Sequence, residues 1–393
     1  MRIAALKKTR STILSIDFSL CSPKPELGVH VDRLLPQFNN AVMPLVSITL
    51  HNYNYGRYLR ECLDSLMGQG YPNLEICFSD NSSTDDSWEI ALEYQRRYPG
   101  IMNVTCNRQN FGSGANWNNC AVNARGKYLL TMCSDDVLMP NCLEICVQML
   151  EKYSDAGFIM FHRSIVDECG TMQEEPPFYN RSCLIPGSEQ AAVYMMASVN
   201  PSISQVMYNR QRMQGKISTG GIATQWYGSR ILDFNICCEY PIAYLSDPLM
   251  LHRVHGTSDS SAVFHNLIDV IGPYVLQHQF ADIAAHYGNT KVVDRLPTSI
   301  QKAAKTALRY SARALCAGDE RLAARYLNLS RAIHPEIAED TLFGQLEGYW
   351  KVTPGQSREY VNQNFAEDNL LSRAVSYDPP PGSLDLSVPA PVG

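Results

Sequence analysis

The stretch Leu129-Leu130-Thr131-Met132-Cys133-Ser134-Asp135-Asp136 joins an apolar run to two adjacent carboxylates. The apolar run predicts a buried β-strand, so Asp135 and Asp136 stand where that strand ends and are held rigidly. Hard cations such as Mg²⁺ and Mn²⁺ prefer oxygen ligands and usually keep water and substrate phosphates as well. The stretch therefore predicts a metal-bridged diphosphate site, with a solvated Asp-Asp turn as the alternative.

Strands and helices alternate on both sides of this strand. Continuous apolar runs predict the strands, and apolar residues at helical spacing predict the helices between them. The predicted strands cover residues 45–50, 74–79, 102–106, 128–132 and 157–161, and the predicted helices cover residues 58–68, 110–123, 140–153 and a segment that begins after 85 or 86. This alternation predicts an α/β fold with a mostly parallel sheet flanked by helices.

Polar side chains follow three of these strands directly. The clusters are His51-Asn52-Tyr53-Asn54, Asp80-Asn81-Ser82-Ser83 and Ser134-Asp135-Asp136. In parallel sheets of this kind, ligands bind beyond the carboxyl ends of the strands. Because the three clusters lie on the same edge of one predicted sheet, together they favour a binding site more strongly than any of them does alone.

The composition limits the class of protein. The chain has 393 residues, of which 45% are apolar, and it carries a formal net charge of −6. This is enough for two domains or for one large domain with a helical addition, and the charge argues against a nucleic-acid partner. Thirteen cysteines without a framework spacing fit a reducing, cytoplasmic compartment. No segment reaches the roughly 20 apolar residues of a membrane helix, so work on lipid-linked material would take place from the membrane surface.

The composition also divides the chain. Residues 1–43 are predicted to be an irregular leader broken by prolines. Residues 44–270 form the main predicted domain, which alternates strands and helices up to 161 and is less regular from 170 to 265. Residues 271–350 are rich in Ala, Leu and Arg at helical spacing and are predicted to form a helical C-terminal region. Residues 351–393, with their proline-rich run at 379–381, are predicted to be an extended and largely disordered tail.

The order of motifs from about 44 to 255 resembles the family 2 glycosyltransferases, an inverting group with the GT-A fold. The motifs that carry the resemblance are Leu45-Val46-Ser47-Ile48 with Asn52-Tyr53-Asn54, Tyr71-Pro72-Asn73-Leu74 leading into Asp80-Asn81-Ser82-Ser83, Asn110-Phe111-Gly112, Ala124-Arg125-Gly126-Lys127-Tyr128, Cys133-Ser134-Asp135-Asp136 and His252-Arg253-Val254-His255-Gly256. The resemblance implies a GT-A domain with a Rossmann-like nucleotide-sugar-binding half at 44–161 and an acceptor half at 162–270.

The resemblance also implies donor-binding residues in the first two loops. Tyr53 would stack on the nucleotide base, and Asp80 or Asn81 would bond to base and ribose. The full set implied for donor binding is Asn52, Tyr53, Asn54, Asp80, Asn81, Asn110, Ser134, Arg253 and His255. A packed aromatic is the alternative for Tyr53, and a turn former is the alternative for Asp80.

The metal site implied by the resemblance contains Asp135, with His255 completing it and Mg²⁺ or Mn²⁺ as the cofactor. Arg253 suits phosphate because its donors form a fork. Asp136 would support the metal-binding carboxylate or contact the acceptor. Cys133 departs from the family, which commonly has an acidic residue there, and a thiol is a poor ligand for a hard cation, so no metal role is expected for it.

The general base is the weak point of the resemblance. Inversion needs a carboxylate to accept the proton of the acceptor hydroxyl, and the family often has Asp before Trp for this purpose. This chain has Gln225-Trp226 there, and Gln225, which cannot act as a base, is assigned to the catalytic region as a residue that shapes the acceptor pocket. Asp233 and Glu239 follow nearby without an argument for either.

Three functions remain open from the sequence. The first is an enzyme that transfers a sugar from a nucleotide donor to a carbohydrate or glycolipid acceptor, in polysaccharide biosynthesis, with peripheral membrane contact and a homodimer as open partners. The second is a non-catalytic relative that binds a nucleotide sugar or a glycan. The third is a nucleotidyltransferase, which is disfavoured because the loop at 51–54 is not a Gly-rich, basic phosphate loop.

Overall fold

A computed structural model describes residues 43–167, 169–196, 202–216, 228–256, 267–365 and 375–386. The predicted leader, apart from its last residue, and the Gln225-Trp226 pair lie outside these ranges. Within them, none of the helices combines the length and the apolar composition needed to cross a bilayer.

The strands of the described ranges join in one mixed sheet. Its order along the main path is β11-β8-β10-β6-β9-β4-β1-β2-β3, with β5 paired to β10 and β7 paired to β6. The strands are β1 (Val46–Asn52), β2 (Leu74–Asp80), β3 (Met102–Cys106), β4 (Tyr128–Cys133), β5 (Val137–Leu138), β6 (Phe158–Asp167), β7 (Met172–Gln173), β8 (Cys183–Ile185), β9 (Val206–Asn209), β10 (Ile242–Val254) and β11 (Leu384–Asp385).

Helices cover this sheet and continue beyond it. They are α1 (Gly56–Met67), α2 (Ser87–Arg97), α3 (Ser113–Ala121), α4 (Cys142–Lys152), α5 (Gly187–Met196), α6 (Gly228–Cys237), α7 (Ile268–His286), α8 (Thr290–Val293), α9 (Leu296–Cys316), α10 (Glu320–Ile333), α11 (Thr341–Tyr349) and α12 (Ser357–Asn364). The predicted helix at 110–123 begins later, at Ser113, because Gly112 has a positive φ of 87° that an α-helix does not accommodate.

The first half of the sheet is parallel. Strands β3, β2, β1 and β4 lie side by side in one direction, as buried strands joined by crossover helices do. Along β1, Val46, Ile48 and Leu50 are fully buried in an apolar cluster, while Ser47 and Thr49 are buried on the other face. Helices on both faces explain why this strand has no solvent side, and the predicted α/β fold is confirmed here.

The second half of the sheet is mixed. Strand β9 is antiparallel to both β4 and β6, so β6 runs in the direction of β4, and β10 is parallel to β6. The long strands therefore share one direction, which confirms a mostly parallel sheet. The short strand β5 follows the acidic pair directly and binds β10 through Leu138↔Met250 and Val137↔Leu251.

The amino edge of the parallel strands is fixed by a buried carboxylate, which we call the Glu75 latch. Glu75 accepts hydrogen bonds from Ser47 Oγ at 2.5 Å and from the Arg125 backbone N–H at 2.7 Å. Gly126 lies so close to β1 that a Cβ there would be 2.6 Å from the Ser47 nitrogen. The latch holds the start of β4 against β1 and β2, and it thereby sets where β4 ends.

The helices after β10 confirm the predicted helical C-terminal region. On α9, apolar positions three or four residues apart pack against α10, α11 and α12. Among the buried members of this cluster are Ala304, Leu308, Leu315, Phe343 and Leu346.

The prediction of a largely disordered tail is wrong for the described residues after 351. Residues Ser357–Asn364 form α12, and β11 pairs with β8 through Leu384↔Leu184 and Asp385↔Cys183. Arg181 Nε also donates to Asp385 Oδ1 at 2.7 Å. Prolines prevent a helix at 379–381 but not an extended chain at the edge of a sheet, and the sequence does not show which edge is open to it.

Candidate active site

The parallel register brings the three polar clusters together at the carboxyl edge of the sheet. Asn52 at the end of β1 stands beside Asp80 at the end of β2, and His51 stands beside Cys133 at the end of β4. Asp135 follows two residues after Cys133. The edge predicted from the sequence is therefore formed by neighbouring strand ends.

Asp80 organises the second loop. Its Oδ2 accepts a hydrogen bond from the Ser83 backbone N–H at 2.7 Å, and its Oδ1 accepts from Ser83 Oγ at 2.6 Å and from Asn52 Nδ2 at 3.0 Å. The side chain is almost fully buried. In this structure Asp80 is thus a turn former, the alternative that the sequence left open.

A group of asparagines, which we call the asparagine network, ties these loops to the next helix. Asn81 accepts from Asn107 Nδ2 at 2.9 Å and donates to Asn110 Oδ1 at 2.8 Å. Asn116 on α3 donates to the backbone oxygen of Asn52 at 3.0 Å. Sequence reasoning missed Asn107 and Asn116, although the density of Asn between 107 and 119 was a usable signal. Within this network, the hydrogen bonds of Asn81 and Asn110 stabilise the loops.

Tyr53 projects from this edge. It is 41% exposed, so the packed-aromatic alternative is wrong. Its neighbour Asn54 has a φ of 57° and accepts from the Thr84 backbone N–H at 2.8 Å, which fixes the backbone beside the ring. An exposed aromatic on a fixed loop offers a flat face for a nucleotide base.

The acidic pair lies against the end of β10. Asp135 Oδ2 is 3.1 Å from His255 Nε2, and Asp136 Oδ1 is 3.0 Å from His252 Nδ1 and accepts from the Arg253 backbone N–H at 3.2 Å. Asp136 is fully buried, and its Oδ2 has no hydrogen-bond partner among the described residues. A buried carboxylate oxygen without a partner is costly, and a cation removes that cost.

The side chain of Arg253 is held by hydrogen bonds to the residues around the acidic pair. Its Nε donates to the Asp135 backbone oxygen at 3.2 Å, and its Nη2 donates to Glu61 Oε2 at 2.7 Å. The guanidinium also lies 4.9 Å from the ring centroid of Tyr58. Sequence reasoning missed Glu61 because it lies on α1, far along the chain. The donors of Arg253 therefore hold the loop of Asp135.

Ser134 and His255 complete the surroundings of the acidic pair. Ser134 is buried, and its Oγ donates to the backbone oxygen of His51 at 3.2 Å, which joins the ends of β1 and β4. The ring of His255 lies against Tyr58 and Tyr55, at centroid distances of 5.0 and 5.8 Å. Packing on both rings fixes the imidazole beside Asp135.

The electrostatics favour a cation at the pair. Burial raises the pKa of Asp135 above its ordinary value, the negative charge of Asp136 raises it further, and the bond to His255 opposes both. Burial and the same two carboxylates raise the pKa of the Cys133 thiol. Two carboxylates held together in a poorly solvated place repel each other, and a divalent ion relieves that repulsion.

The side chains fit a divalent ion. One ligand atom each of Cys133, Asp135 and Asp136 lies within 4.8 Å of the others. Carboxylate oxygens suit Mg²⁺ or Mn²⁺, whereas a thiolate suits softer metals. The expectation that Cys133 has no metal role remains a prediction, although its sulfur lies inside this group. His255 is near enough to Asp135 to orient it.

The two acids that follow Gln225 most closely in the sequence, Asp233 and Glu239, are engaged elsewhere. Asp233 on α6 is buried in an apolar cluster and accepts from Tyr208 Oη at 2.6 Å, and burial raises its pKa to about 7. Glu239 bonds Lys216 Nζ at 2.6 Å. Gln225 lies outside the described residues.

Comparison with known proteins identifies similar chains. Residues 47–211 match the model of glycosyl transferase family 2. Chondroitin synthase of Escherichia coli is 30% identical over 145 residues, which are 36% of this chain and 21% of that protein. An uncharacterized glycosyltransferase of Rickettsia prowazekii (strain Madrid E) is 28% identical over 169 residues, 43% of this chain and 49% of that protein. The chain therefore spans between a fifth and a half of these relatives.

A solved structure is also similar. TarS 1–349 of S. aureus in complex with UDP-GlcNAc has a TM-score of 0.48 and 16% identity, covering 78% of this chain and 91% of that chain.

Proposed function

Because residues 47–211 match the model of glycosyl transferase family 2, we propose that this chain transfers a sugar from a nucleotide-diphosphate donor to a carbohydrate or glycolipid acceptor, with inversion and with a divalent cation. The observation that carries the proposal is the buried pair Asp135 and Asp136 at the carboxyl edge, with an Asp136 oxygen that lacks a hydrogen bond among the described residues. A sheet edge of this kind is where a nucleotide ligand binds.

The donor would lie across the ends of β1, β2 and β4. Tyr53 offers its exposed ring to the base, while Asn52, Asn54, Asp80, Asn81 and Asn110 keep the loops in shape. These contacts within the loops support a positioning role for the five residues. Residues 44–161 would form the donor half and residues 162–270 the acceptor half.

The diphosphate would lie near Asp135. A bound Mg²⁺ or Mn²⁺ would neutralise the negative charge that grows on the leaving nucleoside diphosphate. Asp135 and Asp136 supply the oxygen ligands, His255 orients Asp135, and Arg253 holds the Asp135 backbone. The hydrogen bond from Arg253 to Glu61 fixes the guanidinium. The loop of Asp135 therefore does not shift when negative charge develops on the leaving group.

The acceptor side rests on fewer observations. The name of the Escherichia coli relative is that of a synthase of chondroitin, which favours a role for this chain in polysaccharide or glycolipid assembly. Gln225 and Trp226 would shape the acceptor pocket. The cytoplasmic location and the homodimer stay predictions.

The experiment measures acceptor-dependent release of nucleoside diphosphate. The protein is incubated with Mn²⁺ and a panel of UDP-, dTDP- and GDP-sugars, with and without carbohydrate and glycolipid acceptors. Release that needs both donor and acceptor, and that stops when the metal is chelated, supports metal-assisted transfer. Release that continues after chelation contradicts the role of the cation.

The second candidate function is a non-catalytic relative that binds the donor. The observation that favours it is Gln225, where the family often has a carboxylate. It predicts that the donor raises the unfolding temperature while no acceptor leads to release. This result would show that the protein binds the donor without transferring its sugar.

A further inference from the structure

Helices α9 and α10 hold an unusual share of the positive charge of the chain. Residues 295–331 contain eight Lys or Arg and two Asp or Glu, a formal charge of +6. The whole chain carries −6, so the remaining residues carry −12. The two acids, Asp319 and Glu320, lie at the turn between the helices, and residues 296–318 contain none.

The basic side chains of α9 form one ridge. Lys302, Lys305, Arg309 and Arg313 are three or four positions apart, which places them along one side of the helix. Lys302, Lys305 and Arg309 are exposed, while the alanines and leucines of the opposite side are buried. From Lys302 to Arg313, eleven helical steps apart, the ridge is about 16 Å long.

Helix α10 adds charges of the same sign. Arg321 and Arg325 are one turn apart and exposed. Arg309, Arg321 and Arg325 form no ion pair with a described residue, and Lys305 pairs with Asp340 Oδ2 at 3.4 Å with half of its side chain exposed. Charges of one sign on one surface repel one another where they outnumber the acidic groups, and an anionic partner relieves that repulsion.

An exposed tryptophan lies near the same helix. Trp350 is 43% exposed, and the hydroxyl of its neighbour Tyr349 donates to Glu320 Oε1 at 2.6 Å. This bond holds the end of α11, which Trp350 follows directly, against the beginning of α10. Trp together with Arg is a combination typical of the boundary between membrane and water.

We propose that the exposed faces of α9 and α10 dock this protein on an anionic lipid surface. The ridge is the outer side of a helix rather than a groove with converging polar groups, so it suits a plane of headgroups better than a single extended polymer. The rest of the chain, at −12, is repelled by such a plane. Charge therefore favours an orientation in which this face is turned towards the lipid.

The strength of the contact is set by the number of basic residues near the surface. Each Lys or Arg there strengthens binding roughly fivefold, and the contribution falls off over about 8 Å at physiological salt. Reversing two of them is expected to weaken binding by at least about 25-fold. The docking needs neither donor nor acceptor, so its failure is distinct from failure of the sugar-transfer proposal.

The experiment is sedimentation of the full chain with vesicles. Vesicles of phosphatidylcholine alone are compared with vesicles that also contain phosphatidylglycerol, at low and high salt. We expect binding only to the anionic vesicles and release by salt. Arg309→Glu with Arg325→Glu is expected to abolish binding, whereas Arg309→Lys with Arg325→Lys retains it. Thermal unfolding checks that both variants fold.

The matched control is Arg96→Glu with Arg97→Glu on α2, which changes the net charge equally at exposed positions. It is expected to bind as the unchanged protein does. Equal binding to neutral vesicles, equal loss in the control, or binding to soluble polyphosphate but not to anionic vesicles would each overturn the proposal.

Discussion

The two edges of the parallel strands each bury a carboxylate, and they treat it differently. At the amino edge, Glu75 accepts hydrogen bonds from Ser47 Oγ and from the backbone and guanidinium of Arg125. At the carboxyl edge, Asp136 has one oxygen bonded and the other without a partner among the described residues. Both side chains are fully buried. A carboxylate that is satisfied holds the fold, and one that is left incomplete is available to a ligand.

This contrast predicts that changes at the carboxyl edge reduce activity while changes at the amino edge reduce stability. Asp135→Asn, which removes a charged metal ligand, is expected to lower acceptor-dependent nucleoside diphosphate release on the order of a thousandfold. The unfolding temperature should stay close to that of the unchanged protein, because the amide removes the repulsion by Asp136 and can still form a hydrogen bond with His255. Unchanged release would remove Asp135 from the mechanism.

Asp233 is a buried carboxylate away from both edges, and the pH dependence of its contribution to stability sharpens the contrast. Burial raises its pKa to about 7. Since the folded-state pKa is raised, the stability it contributes is present below about pH 4 and is lost as the pH rises through 7. Between pH 4 and pH 8 the loss is about 4 kcal/mol.

The test of this dependence is urea unfolding of Asp233→Asn. The amide oxygen can still accept from Tyr208, but it does not ionise. The variant is therefore expected to gain stability over the unchanged protein as the pH rises from 4 to 8. Parallel pH profiles for the two proteins would show that Asp233 does not titrate in this range.

The Glu75 latch gives the next largest effect. Glu75→Ala leaves Ser47 Oγ without its acceptor and leaves the Arg125 N–H with only its 3.1 Å bond to Ser47 Oγ, and we expect the free energy of unfolding to fall by about 3 kcal/mol. Glu75→Gln, which can still accept, should lose less. Denaturant titration measures the stability, and release per folded molecule should be unchanged. A fall in release per folded molecule would contradict the assignment of the amino edge to stability and the carboxyl edge to activity.

The asparagine network should give a smaller loss of stability. Asn116→Ala removes the donor to the backbone oxygens of Asn52 and Ser79, at 3.0 and 3.1 Å, and leaves both buried. We expect about 1–2 kcal/mol of stability to be lost. The donor affinity should fall as well, because the loop that carries Tyr53 is no longer fixed. Thermal unfolding with and without donor separates the two effects.

The smallest effect is expected at Gln225. Gln225→Ala removes a side chain that cannot accept a proton, so release should fall by less than about tenfold. The loss should appear in the dependence on acceptor concentration rather than on donor concentration. A loss equal to that of Asp135→Asn would show that Gln225 takes part in the chemical step.

The sequence predicted the parallel strands because each is a short apolar run that ends in polar residues. Their pairing then follows from the rule that such strands lie in one sheet, so the meeting of Asn52, Asp80 and Asp135 at one edge was predictable. The partner of Arg253 was not, because Glu61 lies 192 positions away on another element. Local sequence patterns do not reveal a contact between residues so far apart in the chain.

The roles of buried polar residues were also beyond the sequence. Glu75 and Asp80 are acids near opposite ends of one strand, and only their hydrogen bonds show that Asp80 shapes a loop and Glu75 fixes the register. The pairing of β11 was missed for a related reason. A short extended segment becomes a strand only where an edge is open to it, and that depends on the whole sheet.

The pairing of β11 with β8 changes what kind of unit the C-terminal helices are. They leave the sheet after β10, and the chain returns to the same sheet at β11. Topologically they are an insertion between two strands, closed at both ends, and not a pendant module. A shortened version that stops after α12 would leave β8 paired with β10 alone and would expose the backbone donors and acceptors of its other side to self-association. A shortened version for crystallisation should therefore remove helices internally and keep β11, or keep the insertion whole.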